Sequence, residues 1–123
     1  MNIPSTHQTV MPYLMLKDAA KFIDFVKQVF NAEITHHSMR DEKLLGHCEM
    51  RIGFSTIMFS DANEDWKPQT ANLFIYVENA DETFQKALDQ QSTVIMELAD
   101  QDYGRSGGVT DPFGNVWWIT SAQ

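Results

Sequence analysis

Cysteine is almost absent from this sequence, since Cys48 is the single example. One thiol cannot form an intrachain disulfide or a multi-cysteine zinc site, and it fits a reducing compartment. Residues 1–8 contain neither Lys nor Arg and no apolar core, so no secretory signal or transit peptide is predicted there. No apolar run approaches the ~20 residues that cross a bilayer. We therefore expect a cytoplasmic protein without a membrane-spanning helix.

Basic residues are also scarce, because 9 Lys and Arg stand against 17 Asp and Glu, a formal net charge of −8. This charge repels nucleic-acid phosphates and anionic lipid surfaces, so neither partner is expected. It would attract a cationic ligand, although surplus surface acid also keeps a protein in solution. Hydrophobic residues make up 43% of the 123 residues, which predicts a single packed domain over residues 1–123 rather than disorder.

Hydrophobic spacing predicts the same order of elements, βαβββ, twice along the chain. Asp18 and Asn79 are predicted helix N-caps, and Asn31 is a predicted left-handed helix stop. The two modules cover about residues 8–60 and 71–121, with an exposed linker at about 61–70. The predicted elements lie at 8–16, 19–30 (helix), 33–39, 45–52 and 55–60 in the first module, and at 72–77, 80–89 (helix), 93–98, 107–110 and 115–120 in the second.

A fixed offset between the modules supports this repeat. The helix starts at Asp18 and Asn79 are 79 − 18 = 61 residues apart, and the turn glycines Gly53 and Gly114 are 114 − 53 = 61 residues apart. We therefore predict an α+β fold built from two βαβββ modules. By analogy, such modules form a curved, partly closed mixed β-barrel with the helices outside and a concave cavity inside.

The second module ends in a motif that is more specific than the repeat. The segment Asp111-Pro112-Phe113-Gly114-Asn115-Val116-Trp117-Trp118-Ile119 resembles the Asp-Pro-x-Gly-Asn/His-x-Trp/Ile signature of the vicinal oxygen chelate superfamily, which contains glyoxalases, bleomycin resistance proteins and dioxygenases. Pro12-Tyr13-Leu14 and Tyr103-Gly104-Arg105 are similar to its PhnB-like subgroup. By itself, Asp-Pro-Phe-Gly is typical of a β-turn. The resemblance also implies a homodimer.

The resemblance further implies four metal positions, on the first and last strands of each module. Met11, Ile57, Asn72 and Trp118 occupy them in this sequence. Zinc, nickel and iron prefer imidazole, thiolate or carboxylate donors, and this set offers at best one weak amide oxygen. No metal and no other cofactor is therefore expected.

Period-two alternation places His47, Glu49 and Arg51 on one face of the third predicted strand, facing the cavity. There, His47 and Glu49 can form an acid–base or ligand-orienting pair, or simply pair across strands with Arg51. Arg105 can meet an anionic group or stay solvated in a loop, and His7 is predicted to lie in a frayed terminus. The predicted ligand-binding residues, which include several aromatic side chains, are Met11, Tyr13, His47, Glu49, Phe59, Asn72, Tyr76, Arg105 and Trp118.

Three functions are compatible with these residues. The first is a metal-free protein that binds a small molecule, as bleomycin resistance proteins sequester a drug. The second is a glyoxalase-type lyase or isomerase, or a dioxygenase, which needs a divalent metal to polarise substrate oxygens. The third is an enzyme that uses His47 and Glu49, or a module that binds another protein. The absent metal ligands favour the first, and the sequence assigns no catalytic residue.

Overall fold

The computed structural model describes residues 1–122 and contains two helices and eight strands. They follow the predicted order βαβββ twice, which confirms the α+β fold class. In the first module the elements are β1 (Tyr13–Leu16), α1 (Ala19–Phe30), β2 (Glu33–Met39), β3 (Leu45–Ile52) and β4 (Ser55–Asp61). In the second they are β5 (Asn72–Tyr76), α2 (Ala80–Asp89), β6 (Thr93–Gln101), β7 (Gly104–Thr110) and β8 (Val116–Ala122).

Each module forms one mixed four-stranded sheet of the same topology. The strand orders are β1-β4-β3-β2 and β5-β8-β7-β6. The first and last strands of each module pair in parallel, and the other pairs are antiparallel. The chain divides into two compact units that follow the modules, except that Gln28–Phe30 at the end of α1 belongs to the second unit.

Helix α1 has its apolar side chains on one face, because Phe22, Phe25, Val26 and Val29 recur at helical spacing and are all buried. The ring of Phe22 packs edge-on against Phe59 of β4, with 4.8 Å between the ring centroids. This contact fixes which face of β4 points towards the helix.

The ends of α1 test the predicted caps. Asn31 has φ +57° and its N–H donates to the Lys27 carbonyl at 3.1 Å, so the predicted left-handed stop is confirmed. The prediction that the Asp18 side chain caps α1 is wrong. Among residues 1–122 this side chain makes no capping hydrogen bond, and the φ of Asp18 is +56°. Asp61 of β4 replaces it, since Asp61 Oδ1 accepts the Ala19 N–H at 2.9 Å.

In the second module, Asn79 caps α2 as predicted, and its Oδ1 accepts the Glu82 N–H at 3.1 Å. The helix packs on the sheet through Phe84. Gly107 of β7 makes room for it, because a Cβ at this position would lie 2.8 Å from the Phe84 ring. The helix-facing side of β7 therefore carries Gly107 and its alternate neighbours Arg105 and Val109.

The Asp-Pro-Phe-Gly-Asn motif forms a hydrogen-bonded turn before β8, in which Asp111 and Asn115 are buried and Pro112 and Gly114 are exposed. Asp111 Oδ1 accepts the N–H groups of Phe113 and Asn115, both at 2.9 Å. Asp111 Oδ2 accepts the Asn115 side-chain amide at 3.0 Å and the Trp117 indole N–H at 2.8 Å. Asn115 Oδ1 in turn accepts the Ala71 N–H at 3.0 Å, just before β5. The motif therefore holds the parallel β5–β8 pair together.

Several segments differ from their predicted structure, and among them β6 and β7 include residues 99–101 and 104–106, which the sequence predicts to lie between strands. Residues 8–12 do not join the first strand, because Pro12 lacks an N–H and β1 begins only at Tyr13. The predicted linker at 61–70 is partly paired, since Gln69 and Met15 exchange backbone hydrogen bonds of 2.9 and 3.0 Å. In the part of the chain that the structure describes, neither helix has the length and apolar character needed to cross a membrane.

Candidate functional site

Four side chains of the first module form one hydrogen-bonded chain, which we call the histidine–carboxylate network. Glu49 lies at its centre and is 8% exposed. Its Oε2 is 2.7 Å from His47 Nε2, and its Oε1 is 2.7 Å from His7 Nε2. Tyr13 Oη lies 2.9 Å from His47 Nδ1. The network runs from the buried carboxylate to an exposed phenol, because 44% of Tyr13 is accessible to solvent.

Strand pairing explains why these side chains meet. His47 and Glu49 alternate on β3 and share one face, as predicted. Glu49 lies opposite Met58 of β4, and Met58 lies opposite Tyr13 of β1. Directly opposed residues point to the same face of a sheet. The sheet therefore brings Tyr13 to the face that carries His47 and Glu49.

The carboxylate of Glu49 determines the proton positions in the network. Burial of the carboxyl opposes ionisation, but the hydrogen bonds from His7 and His47 outweigh it, so the pKa of Glu49 is lowered below its ordinary 4.5. An ionised carboxylate only accepts hydrogen bonds, so His47 Nε2 carries a proton and donates it. In neutral His47, Nδ1 is then an acceptor, and the Tyr13 hydroxyl donates to it.

His7 is the member of the network that the sequence reasoning missed. The terminal segment is not frayed, because the side-chain amide of Gln8 donates to the Thr56 carbonyl at 2.9 Å and accepts the Thr56 N–H at 3.1 Å. The Thr56 hydroxyl also donates to the Thr6 carbonyl. His7 lies 42 residues from Glu49 along the chain. In the sequence, the polar residues Thr6 and Gln8 at the start of the first predicted strand are a weak signal that this segment is hydrogen-bonded to the sheet.

Exposed aromatic side chains form a second feature, in the other module. Phe74 is 51% exposed, Tyr76 is 64% exposed and Tyr103 is 51% exposed. The Phe74 ring centroid lies 5.2 Å from that of Tyr76 and 6.2 Å from that of Tyr103. Trp118 lies opposite Phe74 in the β5–β8 pairing and shares its face. We call Phe74, Tyr76, Tyr103 and Trp118 the aromatic surface.

Gly108 and Asn72 hold the Trp118 indole in place. Trp118 lies opposite Gly108 in the β7–β8 pair, and a Cβ on Gly108 would come within 2.6 Å of the indole ring. The ring therefore lies over the bare backbone of β7. Its N–H donates to Asn72 Oδ1 at 2.6 Å. Asn72, Tyr76 and Trp118 are thus brought to one face of the second sheet, as expected from their alternation.

Two predicted ligand-binding residues lie elsewhere. Phe59 is fully buried against Phe22 and lies opposite Cys48, so the cavity face predicted for Phe59 and Ile57 is wrong. Arg105 is in β7 rather than in a loop. Its guanidinium contacts Asp81 at 2.8 Å and Asp100 at 3.2 Å. These aspartates hold it on the helix side of the sheet.

The remaining predicted position, Met11, is half-buried and precedes β1. At the four metal positions that the resemblance implies, Met11, Ile57, Asn72 and Trp118 offer no imidazole, thiolate or carboxylate donor, and Asn72 Oδ1 already accepts the Trp118 N–H. The residues at these positions therefore do not fit a divalent metal. Among residues 1–122, no group of three or more His, Cys, Asp or Glu side chains is arranged to hold a metal ion.

Comparisons with known proteins agree with this architecture. An uncharacterized protein of Mycobacterium bovis is 34% identical over 119 residues, covering 86% of this chain and 78% of the relative. The PhnB protein of Bacillus cereus, described as a putative 3-demethylubiquinone-9 3-methyltransferase, has a similar structure at TM-score 0.72 and 22% identity, covering 94% of this chain and all of that one.

A third similar structure is TnmS3, an antibiotic binding protein from Streptomyces sp. CB03234. Its TM-score is 0.71 at 14% identity, and the match covers 95% of this chain and all of TnmS3. At such identities the two structural matches show a shared fold. The family model of the Glyoxalase/Bleomycin resistance protein/Dioxygenase superfamily matches residues 7–119. The chain therefore belongs to the glyoxalase/bleomycin resistance protein/dioxygenase superfamily.

Proposed function

We propose that this protein binds a small organic molecule without a metal, and that the aromatic surface of the second module contacts this molecule. The observation that carries the proposal is the exposure of Phe74, Tyr76 and Tyr103, each more than half accessible, beside Trp118. Contiguous exposed apolar surface on a protein usually marks a binding site. Isolated exposed aromatic residues would need no such explanation.

The geometry of the surface suits a flat ligand. The Trp118 indole has a fixed orientation, since Gly108 leaves space for it and Asn72 accepts its N–H. A preorganised ring loses little conformational freedom on binding. Aromatic contacts add about 0.5–1.5 kcal/mol each beyond the area they bury. Two or three such contacts are enough for binding in the micromolar range when the ligand's apolar area is added.

The charge of the protein favours a cationic ligand. The formal net charge is −8, and aromatic ring faces attract cations directly. The structural likeness to TnmS3, an antibiotic binding protein, supports binding of a drug or a metabolite, as in sequestration. Our proposed ligand class is therefore a planar aromatic cation.

Proflavine, a planar aromatic cation, is a suitable probe, and its fluorescence anisotropy reports binding without using the protein's own tryptophans. We expect saturable binding that Trp118→Ala weakens by about tenfold, the value of one aromatic contact. Trp66→Ala is the matched control, because Trp66 is 60% exposed but lies in the segment before β5, which belongs to the first compact unit. No saturable binding, or equal weakening by both variants, contradicts the proposal.

The alternative function is a metal-dependent lyase, isomerase or dioxygenase. It requires hard or borderline donors around a divalent metal, and the residues at the superfamily's metal positions do not supply them. Metal analysis of the purified protein separates the two functions. Zinc, nickel, iron or manganese near one equivalent per chain would overturn the metal-free proposal.

We further propose that the protein is a cytoplasmic homodimer. Burial and the neighbouring Glu49 carboxylate raise the pKa of Cys48 to about 11, so this thiol stays protonated and unreactive, as suits a reducing compartment. Membership of the superfamily supports the dimer. Light scattering at micromolar concentration tests it, and a mass of 14.1 kDa would mean a monomer.

A further inference from the structure

The segment before β1 differs from the rest of the first module in how it is held. Each of residues 1–12 is exposed or half-buried, and the first buried side chain along the chain is Leu14 in β1. The exposed residues include Ile3 and Val10, which are 46% and 81% accessible to solvent. Polar contacts rather than buried apolar side chains therefore hold residues 4–12, and we call this segment the strap.

Two groups of contacts hold the strap against the sheet. In the first, the Gln8 side-chain amide donates to the Thr56 carbonyl at 2.9 Å and accepts the Thr56 N–H at 3.1 Å. The Thr56 hydroxyl adds a hydrogen bond to the Thr6 carbonyl. The second group is the contact of 2.7 Å between His7 Nε2 and Glu49 Oε1. The strap is therefore attached to both β4 and β3.

The closed strap covers polar groups that water would otherwise reach. Thr56 is 0% exposed, although its neighbour Ser55 at the start of β4 is exposed. Strand β1 begins only at Tyr13, opposite Met58, so at Thr56 the side-chain amide of Gln8 takes the place of a strand backbone. The strap covers Glu49 in the same way, because the His7 ring lies on one of its two carboxylate oxygens.

We propose that the strap opens as one piece while the rest of the first module stays folded, and that this opening uncovers the Glu49 carboxylate. A segment that buries little apolar surface and is held by hydrogen bonds opens at a lower free energy than the whole fold. The strap has both properties. Since His7 and Gln8 are adjacent, a movement that separates one from its partner also pulls on the other, so the two groups of contacts break together.

The strap thereby controls access to the polar face of the first sheet. In the closed state His7 occupies Glu49 Oε1, so a molecule that bonds this oxygen must bind the open state. The apparent affinity of such a molecule is reduced by the fraction of chains that are open. The His7–Glu49 contact is therefore autoinhibitory. It lies in the first module, so it acts separately from the ligand binding proposed for the aromatic surface.

Hydrogen exchange of backbone amides, followed by NMR, tests the opening. The N–H groups along a strand alternate in direction, so the Thr56 N–H points to the strap and the Ile57 N–H points to β3. The protection factor of Thr56 should be at least about tenfold lower than that of Ile57, and low urea should change only the second. Equal protection and equal urea dependence would mean that the strap opens only when the whole fold does, which contradicts the proposal.

Two variants test whether the two groups of contacts break together. His7→Ala leaves Gln8 in place, yet it should make the Thr56 amide exchange about tenfold faster. Gln8→Ala leaves His7 in place, yet it should make Glu49 react about tenfold faster with a carbodiimide and glycinamide, measured by peptide mass spectrometry against the exposed carboxylates. Thr9→Ala changes an exposed residue of the same strap and is the matched control, so both rates should stay at their wild-type values.

An unchanged Thr56 rate in His7→Ala, or an unchanged Glu49 rate in Gln8→Ala, would mean that the contacts break separately and that the strap is not one piece. Circular dichroism checks that each variant is folded. Thermolysin, which cleaves before large apolar residues, gives an independent measurement. Phe54 in the β3–β4 turn is 94% exposed against 81% for Val10, so exposure favours cleavage at Phe54. Opening of the strap predicts cleavage before Val10 first, and the reverse order would count against it. None of these measurements uses the aromatic surface, so this proposal and proflavine binding fail independently.

Discussion

Replacement of Asp111 by alanine should destabilise the protein more than most single substitutions, although Asp111 lies in neither candidate site. Asp111 is 4% exposed and accepts four hydrogen bonds. Two of the donors, the Asn115 amide and the Trp117 indole, belong to residues that are 0% and 2% exposed. Water cannot replace the lost acceptor for them without rearrangement of the turn.

The expected loss of stability can be worked out from these buried donors. Each buried donor left without an acceptor costs about 1–3 kcal/mol, so the two side-chain donors give about 2–6 kcal/mol. The backbone N–H of Asn115 is also buried and adds to this loss, whereas the N–H of Phe113 is only partly buried and adds less. We expect Asp111→Ala to lower the free energy of unfolding by about 4 kcal/mol, a large part of the ~5–15 kcal/mol that a domain has.

Two further variants separate the hydrogen bonds from the turn itself. Asp111→Asn keeps one oxygen for the backbone N–H groups but directs its amide N–H groups at Trp117 Nε1, a donor, so about half of the loss should remain. Pro112→Ala removes only the restriction on the exposed second turn residue and should cost about 0.5–1 kcal/mol. Urea unfolding followed by circular dichroism measures all three. If Asp111→Ala lowers the free energy of unfolding by less than about 1 kcal/mol, the structural role of this motif is refuted.

Two other predictions concern the candidate sites. The folded-state pKa of Glu49 is lowered from 4.5, so its ionised form stabilises the fold above pH 4.5, and this contribution is lost as the pH falls through the lowered pKa. Glu49→Gln should therefore lower the free energy of unfolding at pH 7 and reduce how much that free energy falls at acid pH. Urea unfolding at each pH measures this, and parallel curves for the wild type and the variant would contradict it. Gly108→Ala places a Cβ within 2.6 Å of the Trp118 indole, so the ring must move. We expect a shift in the tryptophan fluorescence emission and about tenfold weaker proflavine binding. Unchanged emission and affinity would mean that Gly108 does not hold the ring in place.

Local periodicity was sufficient to predict the helices. The apolar spacing of Phe22, Val26 and Val29 and the stop at Asn31 define α1 within the first module, and Asn79 defines the start of α2. These signals act within a few residues of one another. The first strand is shorter than predicted because Pro12 interrupts the backbone pairing that the apolar run alone suggests.

Residues of the candidate sites were predicted correctly where alternation along a strand decides which face a side chain occupies. Alternation placed His47 and Glu49 together, because it is a property of β3 alone. The contact of His7 with Glu49 depends on how the terminal segment lies against β4. Gln8 and Thr56 join the two, and they are 48 residues apart in the sequence, so no local pattern predicts the contact.

The face of β4 was mispredicted because the two modules are not in register throughout. The turn glycines differ by 61 residues, and so do Tyr13 and Phe74, since 74 − 13 = 61. Their partners in the parallel pairs, Met58 and Trp118, differ by 118 − 58 = 60. A slip of one residue in a strand turns every side chain to the opposite face. Phe59 therefore enters the core.

With this register, the same strand topology carries two different surfaces in the two modules. Tyr13, Met58 and Glu49 lie side by side on the first sheet, and the equivalent places on the second are taken by Phe74, Trp118 and Gly108. Gly108 leaves the space that a flat indole needs. Glu49 instead fills that space with a carboxylate, and the slender Met58 beside it leaves room for imidazole partners. The exchange at this one pair of positions separates an aromatic surface from the histidine–carboxylate network, so the difference between the two sheets follows from side-chain size on a common backbone.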